Sequence, residues 1–412
     1  MILVSTLIYF EMRVHKEPIK VGLLHSHTGT MALSESNVYK ATLYGLDKLN
    51  KEGGLLGHKI VPVVADGRSD PHAFADQAQR LISEDNVSVI FGCWTSASRK
   101  MVKEEVEKAD HLLMYPIQYE GIENSPNIVY TGSLPNQQIK PAVKWALDHL
   151  GGRFFLLGSD YIYPRIANTI IKDLASFLDA EVVGEHYVLL GEDNFTEVIA
   201  KLNEAKPDVI FNTLNGSSNN SFISALQNDV QMRAHRTAVF SFSIAEPELR
   251  AIISEQRGDP LTNYYAAWSY FQSLNDQENK KFIAGLTAFL GEGVPVSDPM
   301  VSAYESVLLW AAAVEEAGSF NPRDVRRTIG GQSRKGPGGI IHIDPKTLHS
   351  WKMVKVGRLN DQGSFEIVWD SGKPIRPEPF PGYLYRREWL DLEKRYYELW
   401  GHHWENHGER RP

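Results

Sequence analysis

The stretch VSVIFGCWTSASR, residues 87–99, decides how the chain is read. Its first six residues, Val87–Gly92, form a continuous apolar run of strand length, the mark of a strand covered on both faces. Helical character begins near Ser98. Between the two, Cys93–Ser98 places hydroxyls and free backbone N–H groups at a helix N-terminus, where a carbonyl oxygen or a carboxylate is favoured. A buried strand, a polar loop and a helix in succession make the repeating unit of a parallel sheet with helices on both faces.

The same alternation extends in both directions. Upstream, Ile19–His25 reads as a strand, Ser34–Glu52 as a helix with Val38, Ala41, Gly45 and Leu49 on one face, and Lys59–Asp66 as a strand. Asp70-Pro71 is a helix start, the aspartate capping and the proline filling the first turn. Downstream, Leu112–Tyr115 is a fourth strand. A second block follows with strands at Arg153–Gly158, Glu181–Leu190, Val209–Leu214, Ala238–Ser243 and Tyr264–Ser269, and with helices ending near Leu150, spanning Pro164–Leu178 and spanning Phe195–Ala205. Asp298–Ala317 has the longest helical pattern. Beyond Gly330, the turn at Gly336–Gly339 and the alternating runs Ser350–Leu359 and Ser364–Trp369 predict antiparallel hairpins. The fold class is therefore α/β, with two blocks and a β-rich end.

Composition narrows the function. The 412 residues are enough for two or three domains at about 100–200 residues each. Against 43 Lys plus Arg stand 51 Asp plus Glu, a net charge of −8 that argues against nucleic acid as a partner. The single cysteine, Cys93, allows neither an intramolecular disulfide nor a cysteine zinc cage. There is no P-loop, HExxH, nucleophile elbow or CxxC, and no cofactor is implied. Met1–Phe10 is apolar but far short of the ~20 residues of a membrane span, so no direct span is expected. It reads either as part of a longer secretory signal or as the N-terminus of a cytosolic protein. Tyr383–Pro412, with His402, His403 and His407, reads as a solvated helical tail rather than a metal site, and His25 and His27 as lining of a strand end. Cys93 reads as a buried, inert thiol rather than a nucleophile, because nothing assigns it a base.

Ligands of open α/β sheets bind beyond the carboxyl ends of the strands. There the chain carries Cys93–Arg99, Tyr115–Gly121, Ser159–Arg165, Asn215–Ser217 and Ser243–Glu246, five loops rich in aromatic, hydroxyl and amide side chains and poor in cations. Such a surface suits a small, neutral, planar ligand.

These loops, together with His25–Ala32, Ala266–Phe271 and Asp298-Pro299-Met300, resemble the urea-binding proteins of ATP-dependent urea uptake systems. Those belong to the type I periplasmic binding protein fold, beside branched-chain amino acid receptors and a cytosolic aliphatic-amide sensor. The resemblance runs from about Ile19 to Tyr385. It implies two Rossmann-like lobes with three hinge crossovers and a ligand cleft: residues 19–131 plus 267–343 as one lobe, 132–266 plus 344–385 as the other, an N-terminal segment 1–18 that is a possible truncated signal, and a tail 386–412. It also implies a non-enzymatic protein that captures urea, acetamide or formamide and delivers it to ABC permease subunits. The glutamine at Gln118 resembles the urea receptors, where the amide sensors tend to carry proline. By the resemblance Ser96 and nearby backbone N–H groups hold the ligand carbonyl, Tyr115, Gln118, Tyr161 and Glu246 take its N–H groups, Trp94 and Tyr163 cover its faces, and Asn215 completes the site. The location is periplasmic or at the cell surface if a signal lies upstream of this chain, and cytoplasmic otherwise. The alternative is an amide-sensing regulator that releases a partner protein on binding.

Overall fold

The computed structural model describes residues 16–255 and 263–408, so the apolar segment Met1–Phe10 lies outside the described residues. Strands β1 (Ile19–His25), β2 (Ile60–Asp66), β3 (Ile90–Gly92), β4 (Leu113–Tyr115) and β5 (Ile128–Tyr130) form a parallel sheet in the order β2-β1-β3-β4-β5. Side chains alternate between its faces. Leu23 and Phe91 join Trp310 and Val314 of helix Asp298–Ala317 in one core, whereas Leu24 and Ile90 join Phe74, Leu81 and Val102 in another. Both faces are covered, so the strands read as unbroken apolar runs. Helix Ala32–Lys51 packs against helix Asp298–Ala317 through Gly45, where a Cβ would come within 3.1 Å of Val307. Asp70 accepts hydrogen bonds from the His72 and Ala73 amides and caps helix Pro71–Ser83, as its sequence predicts.

The chain then crosses to a second sheet. Strands β6 (Arg153–Ser159), β7 (Glu181–Val188), β8 (Val209–Thr213), β9 (Ala238–Ser241) and β10 (Tyr264–Trp268) are parallel neighbours in the order β10-β9-β8-β6-β7. Phe154 and Leu156 face helices Ile139–His149 and Ile162–Phe177, while Phe155 and Leu157 face the opposite layer with Ile199, Phe222 and Leu249. From β10 the chain returns to the first sheet with helices Gln277–Leu290 and Asp298–Ala317. It adds a small antiparallel sheet, β11 (Ser333–Gly336), β12 (Gly339–Ile343) and β13 (Ser350–Trp351), the first two joined by the expected glycine turn. A last crossing places β14 (Lys355–Leu359) and β15 (Phe365–Asp370) antiparallel on the edge of the second sheet, beside β10. The connecting segments bind one another: Ser350 Oγ donates to Thr131 O at 3.1 Å, and Lys355 Nζ to Ser269 O at 3.2 Å.

Several features differ from the sequence reading. Ala267 and Trp268 belong to β10 and pair with Val356 and Lys355, so the return to the first sheet falls after Trp268 rather than at Ala267. The run Ser350–Leu359 is not one strand: its start pairs with β12 and its end with β10, two sheets that an alternating pattern cannot distinguish. The C-terminal helix is not a solvated tail. Helix Arg386–Leu399 lays Trp389, wholly buried, into the core around Phe154 and Ile166, with its indole N–H donating to Pro381 O at 2.9 Å. Among the described residues no helix is long and apolar enough to cross a membrane.

Trp389→Ala is expected to lower stability by about 3–5 kcal/mol, the usual cost of emptying a large aromatic site. Chemical denaturation of the full chain reads this. An unchanged midpoint would show that the C-terminal helix is peripheral to the fold.

Candidate ligand cleft

The carboxyl ends of the two parallel sheets face each other and are in contact. Trp94 Nε1, after β3, donates to Asn215 Oδ1 at 3.3 Å, after β8. Gln118 Nε2, after β4, donates to Phe242 O at 3.0 Å, after β9, and the Ser217 amide donates to Thr30 O at 3.2 Å. The lobes are thus closed on one another. The turn that aims the first of these loops is tight: a Cβ on Gly92 would lie 1.9 Å from Leu24 O, and Cys93 follows with φ of 66°. Cys93 is buried, and burial together with the Glu35 carboxylate pushes its thiol well above its ordinary range. It is a poor nucleophile at neutral pH.

Helix Ser96–Lys108 begins on Thr95, whose hydroxyl accepts from the Ser98 amide. Its first turn carries Arg99, which has no exposure at all. Arg99 Nη2 donates to Glu120 Oε1 at 3.1 Å, Nε to Glu123 Oε1 at 3.0 Å and Nη1 to Ser96 Oγ at 2.9 Å. Its guanidinium lies 5.0 Å from the Tyr115 ring and 4.3 Å from that of Tyr119. Lys100 pairs with Glu123 at 3.2 Å and also with Glu393 of the C-terminal helix. Despite desolvation, the two cations hold the Glu123 carboxyl well below its ordinary range. Sequence reading placed Arg99 and Glu120 in loops of interest but gave neither a role.

This network fixes what the expected site residues can do. Ser96 accepts from Arg99 and donates its one proton to Glu120 Oε2 at 2.5 Å, so its hydroxyl has no proton left for a ligand carbonyl. Tyr115 donates to Trp94 O at 2.7 Å. Tyr161 and Tyr163, at the start of helix Ile162–Phe177, are both buried, with ring centroids 6.2 Å apart. Burial and the Glu120 charge keep the Tyr163 phenol protonated, and its hydroxyl has no partner. Gln118 is oriented by the Phe242 carbonyl, which can accept only from the amide nitrogen, so the unpartnered buried atom is its Oε1, an acceptor.

Glu246 keeps different company. It begins helix Glu246–Glu255, accepts from the Gln272 amide at 2.8 Å and lies among Glu248, Asp298 and Tyr270 beside the connecting segments. Burial raises its pKa to about 8. His25, buried, lies 3.5 Å from Glu35 at the end of β1. His403 lies edge-on to His72 and His407, and among the described residues no group of His, Cys, Asp or Glu is placed to hold a metal ion.

Residues 19–386 match the periplasmic binding protein domain family. The chain belongs to that family. Among its relatives within this group, a Leu/Ile/Val-binding protein from Rhizobium johnstonii is 22% identical over 87% of this chain and 94% of its own length. A solute-binding protein of an ABC transporter from R. palustris, solved with 4-hydroxybenzoate, superposes with a TM-score of 0.78 at 23% identity, over 86% of this chain and 97% of its own. The branched-chain amino acid transporter substrate-binding protein of Streptococcus pneumoniae, solved with isoleucine, gives 0.74 at 19% identity, over 87% of this chain and 100% of its own. A shorter match, 29% identical, joins 28% of this chain to 21% of a limonene hydroxylase from Geobacillus stearothermophilus. The structural matches confirm the periplasmic binding protein type I fold.

The Glu246 proton predicts a pH dependence. An exposed glutamate ionises near 4.5, whereas the folded chain keeps this one protonated to about pH 8. Unfolding in that window releases a proton, so stability falls as pH rises. Glu305 and Glu405, each raised by burial to about 7, pull in the same direction. Glu246→Gln is expected to flatten the decline in Tm between about pH 5 and pH 9 and to leave Tm near pH 5 unchanged. A parallel profile in the variant would contradict the assignment.

Proposed function

We propose that this periplasmic binding protein is the solute-binding component of an ABC uptake system and that its solute is urea or a short aliphatic amide such as acetamide or formamide. The observation that carries this reading is the pair of buried groups without partners, Gln118 Oε1 from one lobe and the Tyr163 hydroxyl from the other. Buried polar atoms are nearly always hydrogen-bonded, so an unpaired acceptor and an unpaired phenol on the two facing sets of strand ends support a polar solute there. A solute with N–H donors and a carbonyl acceptor satisfies both. Trp94, Tyr115 and Tyr161 supply apolar walls, and Asn215 ties the opposing loop to Trp94.

Charge supports the neutrality of the solute. A carboxylate ligand needs a cation with a free donor face, but Arg99 and Lys100 are already balanced by Glu120, Glu123 and Glu393. An added anion would sit beside an acidic network and lose affinity. Glu246 lies toward the connecting segments, where its Oε1 accepts from the Gln272 amide and its Oε2 is buried without a partner.

Urea has four heavy atoms. At a ceiling of about 1.5 kcal/mol each, affinity reaches about −6 kcal/mol, a Kd of tens of micromolar. Titration calorimetry with urea, acetamide, formamide, leucine and 4-hydroxybenzoate tests the reading. Urea or a short amide is expected to bind, with Tyr163→Phe weakening it about tenfold while leaving the Tm of the ligand-free protein unchanged. Tighter binding of leucine or 4-hydroxybenzoate would overturn the proposal.

A further inference from the structure

The family match ends at residue 386, and the described residues continue to 408. That extension touches both lobes at the loops assigned above to the solute. On one side Glu393 pairs with Lys100, whose ammonium also lies 4.8 Å from the Trp404 ring, and His403 packs edge-on against His72 at 5.5 Å. Lys100 belongs to the helix that begins at Ser96, and His72 to the helix capped by Asp70.

On the other side the extension adds a short stretch of backbone pairing to the loop after β6. The Ile162 amide donates to Trp404 O at 3.0 Å, the Asn406 amide donates to Asp160 O at 2.9 Å, and Tyr161 and Glu405 form an antiparallel bridge between them. Asn406 Nδ2 also donates to Asp160 Oδ2 at 2.7 Å. Trp389 anchors the start of the extension in the second lobe's core. The Trp404–Asn406 segment therefore holds Asp160–Ile162, and with them the start of the helix that carries Tyr163, while Glu393 and Trp404 reach across to Lys100.

We infer that residues 386–408 are a latch and a positioning element of the binding site: they tie the Ser96 helix of one lobe to the Tyr161–Tyr163 loop of the other and so favour the closed, solute-retaining state. This rests on the proposed binding site for its effect on affinity, but not for its effect on closure. Opening the cleft separates Lys100 from Glu393 and Trp404, because these stay with the second lobe. A ligand is retained longer by whatever stabilises the closed state selectively.

The test uses the full chain with Glu393→Gln, which removes the charge at constant shape, Asn406→Ala, and Glu393→Asp as the conservative control. Small-angle scattering of the ligand-free proteins is expected to show a larger radius of gyration for Glu393→Gln and Asn406→Ala than for the parent, with Glu393→Asp between. Urea is the probe for binding: its affinity is expected to fall about tenfold in the first two variants, through faster dissociation, with partial rescue in Glu393→Asp. A melting curve for each variant separates opening from unfolding. Folded variants with unchanged radius and unchanged urea dissociation overturn the latch, as does a loss of Tm without either change. If the parent binds no urea, the binding proposal fails by itself, and the scattering comparison still decides the latch.

Discussion

The constraint on which the site depends is the burial of Arg99. A guanidinium carries five N–H donors and cannot give up its proton, so removing it from water demands acceptors on every side. Glu120, Glu123 and Ser96 supply them, and the Tyr115 and Tyr119 rings cover the guanidinium. Glu123 also accepts from Tyr130 at 2.8 Å, and Tyr119 binds His349, whose pKa burial lowers to about 3. One cation thereby fixes the helix after β3, the loop after β4 and the end of β5. Both carboxylates and the Ser96 proton are engaged within this network.

Much of this architecture was legible in the sequence. Strand and helix alternation located β1 to β4 and β6 to β10 because most of these strands are short apolar runs set between helical patterns, and Asp70-Pro71 marked a cap that the structure contains. The loops at the strand ends were legible through their aromatic and hydroxyl content. Pairing was not. Helix Ser96–Lys108 is charged along its whole length, so nothing in its pattern separates the buried Arg99 and Lys100 from the solvated Lys108, and their partners lie more than twenty residues away. Helix Ser218–Asn228 was missed because its polar, asparagine-rich sequence has weak helical propensity and relies on Phe222 and Ile223 in the core. The C-terminal segment was misread for a related reason: few apolar residues anchor it, and they are spaced among many charges.

Fold and solute part company in this family. The relatives solved with isoleucine and 4-hydroxybenzoate share the scaffold, and a scaffold alone does not specify a ligand. In the reading proposed above, selection of the solute rests on the balance of charge around Arg99 and on Gln118 Oε1 and the Tyr163 hydroxyl, both buried without partners.

That claim reduces to a comparison between acetamide and acetate, which share size and shape and differ in charge. Calorimetric titration of both at neutral pH and low ionic strength is the most direct measurement. The account predicts heat of binding for acetamide and none for acetate at the same concentrations. Acetate binding as tightly as acetamide, or more tightly, would contradict it.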